Sequence, residues 1–209
     1  MSGQVHPTAQ VEDGVEIGAG TRVWSHVHVR GPSRIGRDCI VGEKSYIAYG
    51  VEIGDRVKIN AFVYICTGVV IEDGVMVSAG TIFTNDRFPR ATTPDLAEPL
   101  PSEPDEHTEG ARVCAGATLG AGVRVGPGVE IGRFAMVGMG ALVTRDVPAH
   151  HLVVGQPARS IGAVCRCGRP LLRFGADLAP AEKALHCAPC DEHYLFSAGQ
   201  VERRGGPAS

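Results

Sequence analysis

The chain has 209 residues, a net charge of −3 and 21% charged residues. Such a mildly acidic chain lacks the basic footprint of a nucleic-acid binder, and no apolar run approaches the ~18 residues of a membrane span. Glycine takes 28 positions while aromatics make up only 5%, so Val, Ile, Leu and Ala must fill a core that is rich in turns.

The first ten residues lack the charged-then-apolar pattern of a secretory leader. From Val5 onward an aliphatic anchor returns every six positions, through Val11, Ile17, Val23 and Val29 to Val77, with Phe83 closing the run. The beat resumes at Val113, Leu119, Val125, Ile131, Val137 and Val143. Four residues after each anchor stands a small or β-branched residue, such as Ala9, Thr21, Ser33 or Ala141. Glycine follows about half the anchors at the third position, as at Gly50, Gly68 and Gly122. A period of six fits neither a helix nor an alternating strand. It fits a short strand and a tight corner, three of which close one coil of a parallel β-helix. Positions 18 apart then share a column, as do Ile17, Ile35, Ile53 and Ile71. Val113 and Ile131 rejoin that column if residues 84–112 are a loop excursion from a single prism of about seven coils.

These hexads resemble those of the hexapeptide-repeat acyltransferases over roughly residues 5–162. The resemblance implies a left-handed parallel β-helix, an all-β fold class, and a homotrimer with clefts between neighbouring prisms.

Within the excursion, Phe83-Thr84-Asn85-Asp86-Arg87-Phe88-Pro89-Arg90-Ala91 is followed by a Pro- and acid-rich flap, Thr92 to Glu109. The nine-residue stretch is similar to a motif of the N-acetyltransferases that modify the 3-amino group of UDP- or dTDP-linked sugars. Further similarity lies in Val23-Trp24-Ser25-His26-Val27-His28, in Val153-Val154-Gly155-Gln156-Pro157-Ala158-Arg159 and in the exit from Gly162 to Cys167. The similarity implies acetyl-CoA as co-substrate, a nucleotide-linked amino sugar as partner, and Asn85 as the group that orients the attacking amine. At Asp86 the family carries Asn or an apolar residue according to substrate.

In such a reaction a sugar amine has a useful neutral fraction near pH 7, so positioning supplies much of the acceleration, and a backbone N–H stabilises the oxyanion. An isolated loop Asn would otherwise be read as a turn former. Arg90 is a candidate for the nucleotide or a sugar carboxylate, and Asp86 and His28 are further substrate-binding candidates. His28 falls three coils below Ile82, ~14 Å down the axis from Asn85, which suits a surface or nucleotide-proximal place. His107 in the flap is a competing general base, while His150 and His151 cap the last hexad. The resemblance points to the late coils for CoA: Gly138, Gly140 and Ala141 for pantetheine amides, Arg145 and Arg159 for phosphates. Each arginine could equally be a solvated charge. Trp24, Tyr46, Tyr49, Tyr64 and Phe88 are candidates for the cleft or the trimer interface.

Residues 163–197 form a small Cys-rich tail in which Cys165-Arg166-Cys167 and Cys187-Ala188-Pro189-Cys190 are two close pairs. Such pairs suit a structural, tetrahedral zinc in a ribbon-like tail, with His186 or His193 able to replace a thiolate. The competing reading is four free thiols in a reduced tail. Leu171–Phe174 and Tyr194–Phe196 would be its strands, and residues 198–209 are expected to be disordered. Cys39 reads as packing; Cys66 and Cys114 have no evident partner. Seven cysteines used in this way point to a reduced, cytoplasmic location. Two other functional classes compete with the acetyltransferase: a non-catalytic β-helix scaffold, and a carbonic-anhydrase-like metalloenzyme that needs a third histidine beside His26 and His28.

Overall fold

The computed structural model describes residues 3–175 and 182–204. Short parallel strands stack 18 residues apart on three faces. The first face begins with Gln4–Val5, Arg22–Val23 and Ile40–Val41 and ends at His151–Val154. The second carries seven strands, from Gln10–Val11 through Tyr64–Ile65 and Ile82–Phe83 to Leu142–Val143. The third carries six, from Val15–Ile17 to Glu130–Ile131, with Val147 bridged to Ile131 above them. The prism thus has seven coils and one side of an eighth. No helix occurs among the described residues, so none is long and apolar enough to cross a membrane.

The hexad explains the packing. Anchors such as Val41, Ile47, Ile65 and Val77 are fully buried and stack along the axis as one continuous apolar column. The small residue four positions later turns inward at each corner, where two rungs lie too close for a bulky side chain. At several corners it is a hydroxyl that links the rungs. Ser33 Oγ donates to Ala48 O (2.9 Å) and accepts from Val51 N (3.4 Å); Ser45 repeats this with Asn60 O and Val63 N. Both of these hydroxyls are therefore satisfied as donor and as acceptor.

Ile71 pairs with Val113 in the same register in which it pairs with Ile53. The excursion therefore leaves after Phe83 and returns without shifting the column. Its return requires glycine at 110, where a Cβ would collide with the Gly68 backbone beneath.

The tail does not begin as a separate unit at residue 163. Strand Arg159–Val164 runs through that point, antiparallel to His151–Val154 on one side and to Pro170–Arg173 on the other. It thereby extends the first face to ten strands. Glu182–Cys187, Glu192–Ser197 and Gln200–Arg203 form a second, antiparallel sheet. Residues 198–204 are accordingly ordered rather than disordered: Val201 is buried in the tail's core and Arg203 pairs with Glu192. Residues 205–209 lie outside the described residues. Cys39, Cys66 and Cys114 are free and buried in the prism; burial pushes the Cys66 thiol up to about 11.

His150 and His151 join prism to tail. His150 stacks on Phe134 of the last coil, meets Tyr194 of the tail edge-on and donates from Nδ1 to Val164 O (3.0 Å). His151 accepts from Ser160 Oγ at Nδ1 and donates from Nε2 to Gly199 O (3.0 Å), which fits a neutral ring. Burial pushes both imidazoles below their usual value, and the Arg133 and Arg166 charges add to this at His150. Below pH ~6.5 the unfolded chain binds more protons at these sites than the folded one, so their stabilisation is present above that pH and lost beneath it. Thermal melts from pH 7.5 to 5.5 should show falling stability in the parent. The His150→Asn/His151→Asn double variant should show a flatter profile, Asn tolerating the left-handed backbone at 150. Equal acid sensitivity in both proteins would refute this origin.

Candidate active site

The loop emerges at the corner between the second and third faces. Asn85 stands there directly above Thr67, which stands above Tyr49. Asn85 Nδ2 donates to Thr67 O (3.1 Å). A carbonyl only accepts, so this bond fixes the amide with Oδ1 turned away, an acceptor with no partner among the described residues. The base of the loop is zipped behind it. Glu109 N donates to Asn85 O (2.7 Å), Asp86 bridges Thr108, and Arg87 pairs with Glu109, whose carboxyl is held below its usual range by that guanidinium.

The flap folds back over this corner and encloses a cleft of about 470 Å³. Tyr49, Thr67, Asn85, Asp86, Phe88 and Arg90 line one side, and Leu100 to Asp105, His107 and Thr108 line the other. The His107 ring meets Phe88 edge-on at 5.3 Å. The structure thus brings Asn85, Asp86 and Arg90 together and adds His107. Asp86 Oδ1 is engaged by Phe88 N (2.8 Å), a turn-forming bond within the motif, whereas the Arg90 guanidinium is exposed and, among the described residues, bonds only Pro89 O.

His28 does not reach this cleft. It lies on the second face three rungs below Ile82, beneath Tyr46 and Tyr64, with Nε2 donating to Glu12 Oε1 (2.9 Å). That bond, together with Arg30, lowers the Glu12 carboxyl. Tyr46 stacks on Tyr64 (5.2 Å), and Arg30 lies over the Tyr49 ring (5.5 Å). An aromatic and ionic ladder therefore climbs from Glu12 to the floor of the cleft. Tyr49 and Thr67 sit two periods and one period before Asn85, so the column rule that sets the fold also points to them. A lone threonine carries no motif, so that column is the one signal for Thr67.

The proposed CoA residues divide. Gly138, Gly140 and Ala141 lie at the corner between the first and second faces, and the hairpin ending at Arg159 folds onto it through Gln156 Nε2 to Gly140 O (2.7 Å). The backbone there is less available than small residues suggest. Gly138 N bonds Val153 O, Gly140 N bonds Ala121 O and Ala141 N bonds Gly138 O. Ala141 is itself buried. What the corner offers is space, since Gly140 has a positive φ and nothing near its missing Cβ. Arg145 stands apart, at the loop's own corner, next to Thr144, which faces Asp86 and Phe88 across a smaller cleft.

A larger groove, about 610 Å³, follows the third face past Arg34, Glu52, Asp55, Glu72, Asp73 and Arg133. Its acids serve the coil: Asp55 accepts from Arg37 N, Asp73 from Asp55 N and Glu72 from Ala115 N. The smaller cleft is lined by both Asn85 and His107. His26 and His28 join no three-donor cluster among the described residues. The four tail cysteines form one, and His186, Asp191 and His193 another.

A profile of the bacterial transferase hexapeptide (six repeats) matches residues 14–49, 32–65 and 50–85, and one of the hexapeptide repeat of succinyl-transferase matches 116–145. Among solved structures, LpxA, a UDP-N-acetylglucosamine acyltransferase from Bacteroides fragilis, aligns with a TM-score of 0.62 at 14% identity, over 78% of this chain and 61% of that one. A point mutant of AntD, an N-acyltransferase from Bacillus cereus solved with dTDP and coenzyme A, aligns at 0.50 and 19%, over 79% and 84%. PerB from Caulobacter crescentus, solved with CoA and GDP-perosamine, gives 0.42 and 23% over 78% of this chain; the chain spans only 58% of PerB's length. At such identities the LpxA and AntD alignments show a shared fold. Hexapeptide repeats are recognised on both sides of the excursion, and the prism is built from such repeats.

Proposed function

We propose that the chain transfers acetyl from acetyl-CoA to the 3-amino group of a UDP- or dTDP-linked sugar. The observation that carries this reading is the free Asn85 Oδ1 in the flap-covered cleft. An acceptor-only group suits an amine, which can donate one N–H while its lone pair attacks. Attack forms the C–N bond and the tetrahedral oxyanion, the nitrogen sheds its extra proton, and collapse of the intermediate breaks the C–S bond and expels CoA thiolate. Because a neutral amine needs no prior deprotonation, orientation supplies most of the acceleration. In this reading His107, which lines the same cleft, takes the proton afterwards, and the exposed Arg90 meets phosphate or carboxylate.

The Gly140 corner and the Asn85 corner lie on opposite edges of the second face, on the order of 15–20 Å apart for a six-residue side. Copies packed side by side would set one chain's Asn85 corner against its neighbour's Gly140 corner, and a ring of three closes that contact. The trimer is therefore part of the proposed catalyst. The aromatic ladder below Asn85 offers stacking surface to the nucleotide end of the substrate.

Free CoA release should be followed with acetyl-CoA and a panel of UDP- and dTDP-linked 3-amino sugars. No turnover with any of them, together with no CoA binding, would sink the proposal. Asn85→Ala should lower kcat/KM about 10²-fold in an intact trimer, and His107→Asn less than about 10-fold. The reverse ranking would make His107 the general base and remove the orienting role. The flap gives a further check. Arg87→Ala unzips its base, so Glu-specific proteolysis at Glu98 and Glu103 should speed several-fold at an unchanged melting temperature, an exposed pair adding little to global stability. Unaltered cleavage would show that the pair does not hold the flap.

A further inference from the structure

We propose that Cys165, Cys167, Cys187 and Cys190 bind one structural zinc ion, which clasps the tail onto the last coil of the prism. The inference is independent of the acetyltransferase reading. The four sulfurs come from the turns of two antiparallel hairpins. Cys165 and Cys167 follow strand Arg159–Val164, and their turn is closed by Gly168 N to Cys165 O and Cys165 N to Arg169 O, both 2.8 Å. Cys187 ends strand Glu182–Cys187, and Cys190 N returns to Cys187 O (3.2 Å). The facing turns place Sγ of Cys165 at 3.3 Å from Cys190, and Cys167 at 3.7 Å from both Cys187 and Cys190. All four lie within 4.8 Å of one another.

A tetrahedron with Zn–S bonds of ~2.3 Å has sulfur–sulfur edges of about 3.8 Å. Disulfides would pair the sulfurs at ~2.05 Å, whereas here every sulfur has three sulfur neighbours. Four thiolates leave no open coordination position, so the ion is structural. His186 and His193 are not needed as ligands: their rings stack on each other, and Asp191 receives His186 Nε2 (2.9 Å).

The location explains why a clasp is useful. Tyr194 accepts Arg166 N (3.1 Å) at its hydroxyl, which lies 3.2 Å from Cys165 Sγ, and its ring packs on His150 of the prism. The tail's own core is small, with Ala163, Leu185, Phe196 and Val201 as its main buried members besides Tyr194 and two of the cysteines. Appendages of this size usually need a staple. The strand that leads into Cys165 begins at Arg159, in the hairpin that covers the Gly140 corner.

Full-length protein purified without chelator should contain about one zinc per chain by elemental analysis, and cobalt substituted for it should give the intense sulfur-to-metal charge-transfer band of a tetrathiolate site. The Cys187→Ser/Cys190→Ser variant should lose both. Stripping zinc should speed proteolysis of the tail at least ~10-fold while the prism's far-ultraviolet dichroism persists. Less than about one zinc per three chains, with no cobalt band on reconstitution, would overturn the proposal. So would full zinc content in the double variant, or two disulfides found by mass under denaturing alkylation.

Discussion

The backbone hydrogen bonds of the prism run from each strand to the one stacked on it 18 positions along the chain, and that constraint governs what the rest of the molecule can do. Arg22 N bonds Cys39 O, Ile40 N bonds Val57 O and Lys58 N bonds Val75 O. Each rung is therefore satisfied only by the rungs above and below it. An insertion is tolerated if it leaves and re-enters the same corner, because then no rung loses its partner. The excursion does this between Phe83 and Arg112, and Gly110 is the point where the returning chain must lie flat on Gly68. The same constraint sets Asn85 over Thr67 and Tyr49, so the site's floor is supplied by the stack while only its roof is irregular.

A three-sided prism of two-residue strands has no room inside for a ligand. Its interior is filled by Val and Ile from successive rungs, with hydroxyls at the tight corners. Binding groups must therefore stand on the outside, on outward strand positions or where the period breaks. The few aromatics follow this division: Phe83 is buried as the last anchor before the loop, whereas Tyr64, Trp24 and Phe88 are exposed. Low aromatic content reflects the narrow core. Each exposed ring is thus surface available to a partner or substrate rather than displaced core.

Periodicity assigns a residue to a face and a rung, and to that extent the fold was legible. The column through Ile17, Ile71, Val113 and Ile131, the limits of the excursion and the distance between His28 and Asn85 all follow from counting. Counting does not reveal which N–H groups are already engaged. Ala141 looks like an open small residue, yet it is an inward position with its N–H on Gly138 O. Arg145 looks like a neighbour of Gly140, yet one hexad separates a corner from the next, and it emerges beside the loop instead. The tail was less legible because its strands obey no period. Residues 198–209 are expected from the sequence to be disordered, but Gln200–Arg203 form the third strand of a sheet whose partners lie before them.

The two ends of the prism show what a stack of rungs requires. At the first coil, Val5 and Val11 are 43% and 37% exposed, since no rung lies beneath them. At the last coil the corresponding surface is covered: Arg159–Val164 pairs with His151–Val154, and His150 is held between Phe134 and Tyr194. A cap that joins by one strand edge and two imidazoles has few contacts of its own, so its order depends on cross-links within the tail. Four sulfurs gathered from two hairpin turns stand where the proposed ion would supply such a link. They do so next to the strand whose other end closes over the Gly140 corner. Stability at that end and the shape of the late-coil surface are consequently coupled through one continuous strand. Any acyl donor that uses the corner meets a wall whose position is set in the tail.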